Sequence, residues 1–182
     1  FVEKPLCLTE EELQDIRSTY EKQAAEGLHL MVGFNRRFSP HAKEARTFFS
    51  SRSNPLVMLY RINAGRIPAD HWVQDPDVGG GRVIGEVCHF VDYMHALCAS
   101  PPTSVFASRV GRHSSGITED QCSLSLTFGD GSIGTIIYTA EGSSALQKEH
   151  FEAHADGMSL VMSDFMETRT YHNGKSALFK TA

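Results

Sequence analysis

The chain has 182 residues, 41% apolar and 21% charged, with 22 acidic against 17 basic side chains and a formal net charge of −5. That is the composition of a globular chain long enough for one sizeable core, and without a basic run or stripe it excludes a nucleic-acid surface. No apolar stretch is long enough to span a membrane. Cys7, Cys88, Cys98 and Cys122 are scattered without CxxC spacing, so they read as reduced thiols of a cytoplasmic protein.

The chain opens on Phe1-Val2-Glu3-Lys4-Pro5, a charged, proline-containing turn rather than a signal peptide, and reads as part of something longer. Thr9 with Glu12 forms a capping box ahead of a helix whose apolar stripe is Leu13, Ile16, Tyr20 and Ala24, ending at Gly27. Residues 28–34 are a near-continuous apolar run and predict a buried strand. Ser39-Pro40 places an N-cap and an N1 proline before a second helix that ends near Ser50. From Leu56 to Asn63 the pattern alternates, with Leu56, Met58, Tyr60 and Ile62 on one face. A loop over 65–78 holds His71, Trp72, Asp75 and Asp77. It leads into a helix opened by Gly79-Gly80-Gly81 and stopped before Pro101-Pro102. Strands then dominate: 105–110, 121–128, 133–140, 150–155, 159–162, 167–172 and 176–180. The turn pairs Asp130-Gly131, Asp156-Gly157 and Asn173-Gly174 separate several of them, which predicts an antiparallel meander.

The chemistry concentrates on the glycine-opened helix. Glu86 and His89 stand three apart, as do His89 and Asp92, so an acid, an imidazole and a second acid share one stripe. Glu86, Cys88 and His89 are all metal-ligand types, but the spacing completes no ligand set, and no metal is expected. Gly129-Asp130-Gly131-Ser132-Ile133-Gly134 matches the GxGxxG fingerprint. A β-branched, aromatic run follows it rather than a helix, so it reads as a hairpin and not as a phosphate cradle. Arg61 and Asn63 at a strand end, with His71 and Asp75 in the loop, form the polar density expected to face a substrate.

Taken together these motifs resemble the Gfo/Idh/MocA family of NAD(P)-dependent oxidoreductases. Glu3-Lys4-Pro5 is similar to the motif closing a Rossmann strand, and Gly33-Phe34-Asn35-Arg36-Arg37-Phe38 to the crossing into the second domain. Trp72, the glycine triplet, His89-Phe90-Val91-Asp92 and the stretch from His150 to Gly157 follow in the family's order. The resemblance implies an α+β fold: an open-faced, mainly antiparallel sheet with helices on one side, preceded by the last helix and strand of a Rossmann-type unit. Residues 1–35 would be the tail of the dinucleotide-binding domain and 36–182 the substrate-binding domain. His89 would be the acid/base and Lys4 its partner, and Glu3, Lys4, Pro5, Asn35 and Trp72 would lie on the side of an NAD or NADP cofactor that this stretch alone does not hold. The substrate would be a sugar or cyclitol, and copies would assemble as a homo-oligomer through the open sheet face. One position departs from the family: Gly85 stands where an Asp usually precedes the histidine by four. Glu86 is expected to replace it, orienting His89 and favouring its protonated state. The rival readings are a non-catalytic binding or dimerisation module derived from the fold and a metal-dependent hydrolase built on Glu86 and His89.

Overall fold

The computed structural model describes residues 1–110 and 120–181. Helix α1 (Glu10–Ala24) begins as its capping box dictates: Thr9 Oγ1 accepts from the Glu12 amide, and the Glu12 carboxylate accepts from the Thr9 amide. Its apolar stripe stays out of the core, since no residue of α1 is buried and Leu13 and Tyr20 remain about 40% exposed. The strand expected over 28–34 is reduced to one parallel bridge, Val2 to Val32, with Leu28, Leu30 and Met31 exposed. An apolar run becomes a buried strand only when neighbouring strands supply its hydrogen bonds, and Val2 is the one neighbour found among the described residues.

Helix α2 (Pro40–Phe48) starts as predicted, with Ser39 Oγ accepting from the Ala42 amide. Strand β1 (Val57–Asn63) follows. The glycine-opened segment is not one continuous α-helix. A π-helical turn over Val83–Val87 precedes α3 (Cys88–Cys98), which ends with Ala99 in the left-handed region. Strands β2 (Pro102–Arg109), β3 (Gln121–Phe128), β4 (Ile133–Thr139), β5 (Glu149–Ala155), β6 (Met158–Ser163), β7 (Glu167–His172) and β8 (Lys175–Lys180) complete the chain. The glycine pattern at 129–134 is a hairpin, closed by Gly131 N donating to Phe128 O and Phe128 N to Ser132 O.

The eight strands form one sheet in the order β2-β3-β4-β1-β5-β6-β7-β8. The expected meander is therefore interrupted. β1, earliest in sequence, lies between β4 and β5, parallel to the former and antiparallel to the latter. Alternation had marked β1 as half-buried but carried no information about its partners.

One sheet face, α2 and α3 enclose the core. Tyr60 of β1 is fully buried and meets Phe90 and Tyr93 of α3 and Phe151 of β5 edge-on, at ring-centroid distances of 4.8, 5.7 and 5.2 Å. Leu56, Met58, Ile62, Ile136, Leu160 and Met162 fill the same layer. The other face carries Val57, Leu59 and Arg61 from β1 with their cross-strand neighbours. Among these Ile133, Ile137, Phe106, Tyr171 and Leu178 are exposed. No helix of the described residues is long and apolar enough to cross a membrane.

Candidate active site

His89 enters α3 one residue after the π turn and is 6% exposed. Its ring meets Phe34 edge-on at 5.8 Å, so the crossing segment at 33–38 walls one side of it. Lys4 arrives from the far end of the chain and donates from Nζ to the Gly85 carbonyl at 2.7 Å, within the π turn itself. A π turn shifts the i→i−4 ladder by one residue and so frees main-chain carbonyls for other donors. Lys4 is thereby held where its charge acts on the His89 imidazole. Burial, then the positive charges of Arg36 and Lys4, push the His89 pKa down to about 4, and the more distant carboxylates of Glu149 and Glu86 only partly oppose this. His89 is neutral near pH 7, with its buried Nδ1 unpartnered among the described residues.

Glu86 does not orient His89, contrary to the sequence-based expectation, and does not hold it protonated. Its carboxylate accepts from Tyr138 Oη at 2.5 Å, from Lys148 Nζ at 2.6 Å and from Arg82 at 3.1 Å. Burial works against its charge, but the hydrogen bonds from Lys148 and Tyr138, with Arg82 behind them, hold its pKa down to about 2. The reason for the redirection is the π turn. The face shared by residues 86 and 89 presumed α geometry, and five π-helical residues between Arg82 and Cys88 turn Glu86 away toward β4 and β5. Asp92, the second acid of the stripe, is bound by Arg37, whose Nε donates at 2.8 Å.

Of the four residues expected on the substrate side, none is directed at His89. Arg61 lies on the open sheet face, and its guanidinium donates to the Gln147 carbonyl. Asn63 donates from Nδ2 to the carbonyls of Ser143 and Leu146 at 2.7 and 3.2 Å. Both are anchors for the 141–148 loop. His71 caps the short turn after it, its Nδ1 accepting from the Val73 amide, and its ring lies beside the exposed Trp72. Asp75 shapes the approach to the glycines: its carbonyl accepts from the amides of Val78, Gly79 and Gly80, and its carboxylate from Asp77. Gly79 is required there, since a Cβ would lie 2.4 Å from the Val73 backbone.

Side chains not singled out in the sequence complete the surroundings. Arg36 sits 4.8 Å above the Phe90 ring and grips Glu149, which also accepts from Tyr60 Oη at 2.5 Å. Arg36 reads as a surface charge in sequence because its partner stands at the start of β5, far along the chain. Arg82 donates to the Gly65 carbonyl at 2.6 Å. Lys148 and Asn63 border a cavity of about 750 Å³ with Gly65, Gly142, Gln147 and Asp164.

Of the residues expected on the cofactor side, Lys4 is held at the Gly85 carbonyl, while Asn35 and Trp72, the latter 60% exposed, are open to solvent. Glu3 turns its carboxylate to Gly33 instead. A glycine-rich cradle for the pyrophosphate is not found among the described residues, because the one matching pattern is the β3–β4 hairpin.

An open-faced, mostly antiparallel sheet with its helices packed on one face defines the class of fold. The chain belongs to the GFO/IDH/MocA family, whose C-terminal domain matches residues 55–160. A relative from Bacillus subtilis (strain 168), the uncharacterized oxidoreductase YrbE, is 27% identical over 140 residues, which cover 75% of this chain and 40% of the relative. An inositol dehydrogenase homologue from Azotobacter vinelandii, solved with NAD+, superimposes with a TM-score of 0.80 at 17% identity, covering 98% of this chain and 50% of that one. A levoglucosan dehydrogenase solved with NADH and levoglucosan gives 0.78 at 20% identity, covering 99% and 54%. At these identities the solved structures share the fold. The chain spans about half the length of those structures and less of the curated relative.

Proposed function

We propose that this chain forms the proton-transferring, substrate-side part of an oxidoreductase that moves a hydride between NAD or NADP and a secondary alcohol or ketone of a sugar- or cyclitol-like substrate. The observation that carries the reading is the meeting of Lys4 with Gly85 beside a neutral, nearly buried His89. In the direction of alcohol oxidation the nicotinamide, when bound, supplies the hydride acceptor. The residues of this chain manage the oxygen and its proton. Neutral His89 takes the hydroxyl proton as the carbon–hydrogen bond breaks, and the Lys4 ammonium lowers the energy of the developing alkoxide. The low pKa of His89 suits a base that must be unprotonated before turnover. Residues 1–35 serve as the tail of the cofactor's domain and 36–182 as the substrate domain, with Asn35, Trp72 and the Glu3–Pro5 segment on the cofactor side. The thiols of Cys7, Cys88 and Cys98 support a cytoplasmic site of action. Copies assemble as a homo-oligomer through the open sheet face.

Lys4→Ala and His89→Ala, made in a protein that carries this chain together with the cofactor's domain, test this. Each is expected to lower kcat about 100-fold or more while changing cofactor affinity little. Unchanged turnover in both would sink the assignment. Among the described residues no carboxylate bonds His89, which favours a second reading, a non-catalytic binding or dimerisation module. Under it both variants keep their oligomeric state and no NAD(P)-linked turnover of any polyol is found.

A further inference from the structure

The open sheet face holds a titratable device at its centre. The sheet has four strands on each side of the line between β1 and β5. Across that line stand three pairs: Val57 with His154, Leu59 with Glu152, and Arg61 with His150. On β5 the three polar residues are joined. His150 Nε2 lies 2.8 Å from one Glu152 oxygen, His154 Nε2 3.6 Å from the other, and His154 Nδ1 2.9 Å from Ser159 Oγ. Aliphatic side chains surround this row, with Val57, Ile133 and Ile137 each more than 40% exposed.

Eight strands about 4.8 Å apart and some six residues long span roughly 38 by 20 Å, or about 750 Å² of face. A stable two-chain interface buries about 800 Å² per partner, and a two-fold contact needs a surface that complements itself. A second copy of this chain meets both conditions, with aliphatic rows for the contact and acid, base and hydroxyl groups of one row to pair with those of another.

We propose that the His150–Glu152–His154 row makes self-association through this face pH-dependent, with the assembled form favoured at neutral pH and lost in mild acid. The inference rests on the homo-oligomer reading given above. Arg61 is the only other charged group facing the row from the flanking strands β1 and β6, and within the contact it balances Glu152 while both imidazoles are neutral. A proton on either imidazole leaves a net positive charge out of water in each copy. Farther along the same face Glu167 is engaged by Lys180, and Arg169 adds to the repulsion. β6 contributes Ser159, Val161 and Ser163 opposite the row and no charge. Separated chains therefore bind more protons than associated ones, and acid shifts the equilibrium toward separation.

The test is the dissociation constant of this chain by sedimentation velocity between about pH 8 and about pH 5.5, within the range where near-UV circular dichroism is unchanged. The double variant His150→Gln, His154→Gln keeps a donor to Glu152 without the titration. Wild type is expected to associate near neutrality and to weaken at least about tenfold at the acid end, while the variant weakens less than about twofold. A chain that stays monomeric throughout overturns the assembly and this inference with it. Association that is unaffected by acid in wild type, or that weakens in parallel in the variant, overturns the histidine device and leaves the assembly standing.

Discussion

Glu86 shows what a single carboxylate does when three donors converge on it. Tyr138, Lys148 and Arg82 come from β4, the loop just before β5 and the segment before α3, so Glu86 ties a strand and that loop to the helix that carries His89. Glu86→Gln keeps the shape but weakens three charge-assisted bonds. It is expected to destabilise the fold by about 1–3 kcal/mol, measured by urea denaturation, and to affect turnover mainly through the position of α3. Its pKa lies below the ordinary 4.5, near 2, so the folded form binds this proton less readily than the unfolded chain does. The stabilisation is full above about pH 4.5 and is lost as pH falls toward 2; in the Gln variant this part of the acid sensitivity should vanish. The sequence marked Glu86 as important and assigned it the wrong partner. Residue type and spacing were legible, but the π turn that redirects the side chain has no periodic signature. The contact of Lys4 with Gly85 had no local signal, since nothing in spacing brings residue 4 to residue 85, and only motif order placed Lys4 near this helix.

At the scale of elements, strand boundaries followed alternation and turn chemistry closely. β3 and β7 begin and end where the pattern of 121–128 and 167–172 placed them, because Asp-Gly and Asn-Gly turns punctuate the neighbouring pairs. Helices α1 and α2 start at their predicted caps. The exceptions share a cause. Residues 28–34 and the β1 position depend on partners distant in sequence, and local pattern carries no record of them. Burial did follow alternation: Phe151, fully buried between Tyr60 and Tyr93, falls on the inward parity of β5. Phe151→Ala is expected to cost about 3–5 kcal/mol in chemical denaturation, because the surrounding rings cannot collapse into the space. A loss under about 1 kcal/mol would show that this layer is loosely packed.

For the whole molecule, the proposed division near residue 35 carries a direct expectation about ligands. The described residues offer no glycine-rich cradle for a pyrophosphate. Calorimetric titration of the chain with NADH or NADPH should therefore give no measurable binding. Micromolar affinity would mean that a nucleotide site lies within these residues and would overturn the proposed boundary.

The placement of β1 also constrains the order of assembly during folding. β2, β3 and β4 join through successive antiparallel pairings, and so do β5 through β8, which makes each group a local unit with short loops to close. β1 belongs to neither by sequence, yet among the described residues it supplies the only strand pairing between them. Both of its pairings close long loops, so their entropy cost falls on one late event. The two strand groups should form early, and capture of β1 should limit the rate. Until β1 is captured, the strands that will flank it, β4 and β5, stand as unpaired edges with their hydrogen-bonding groups open to other chains.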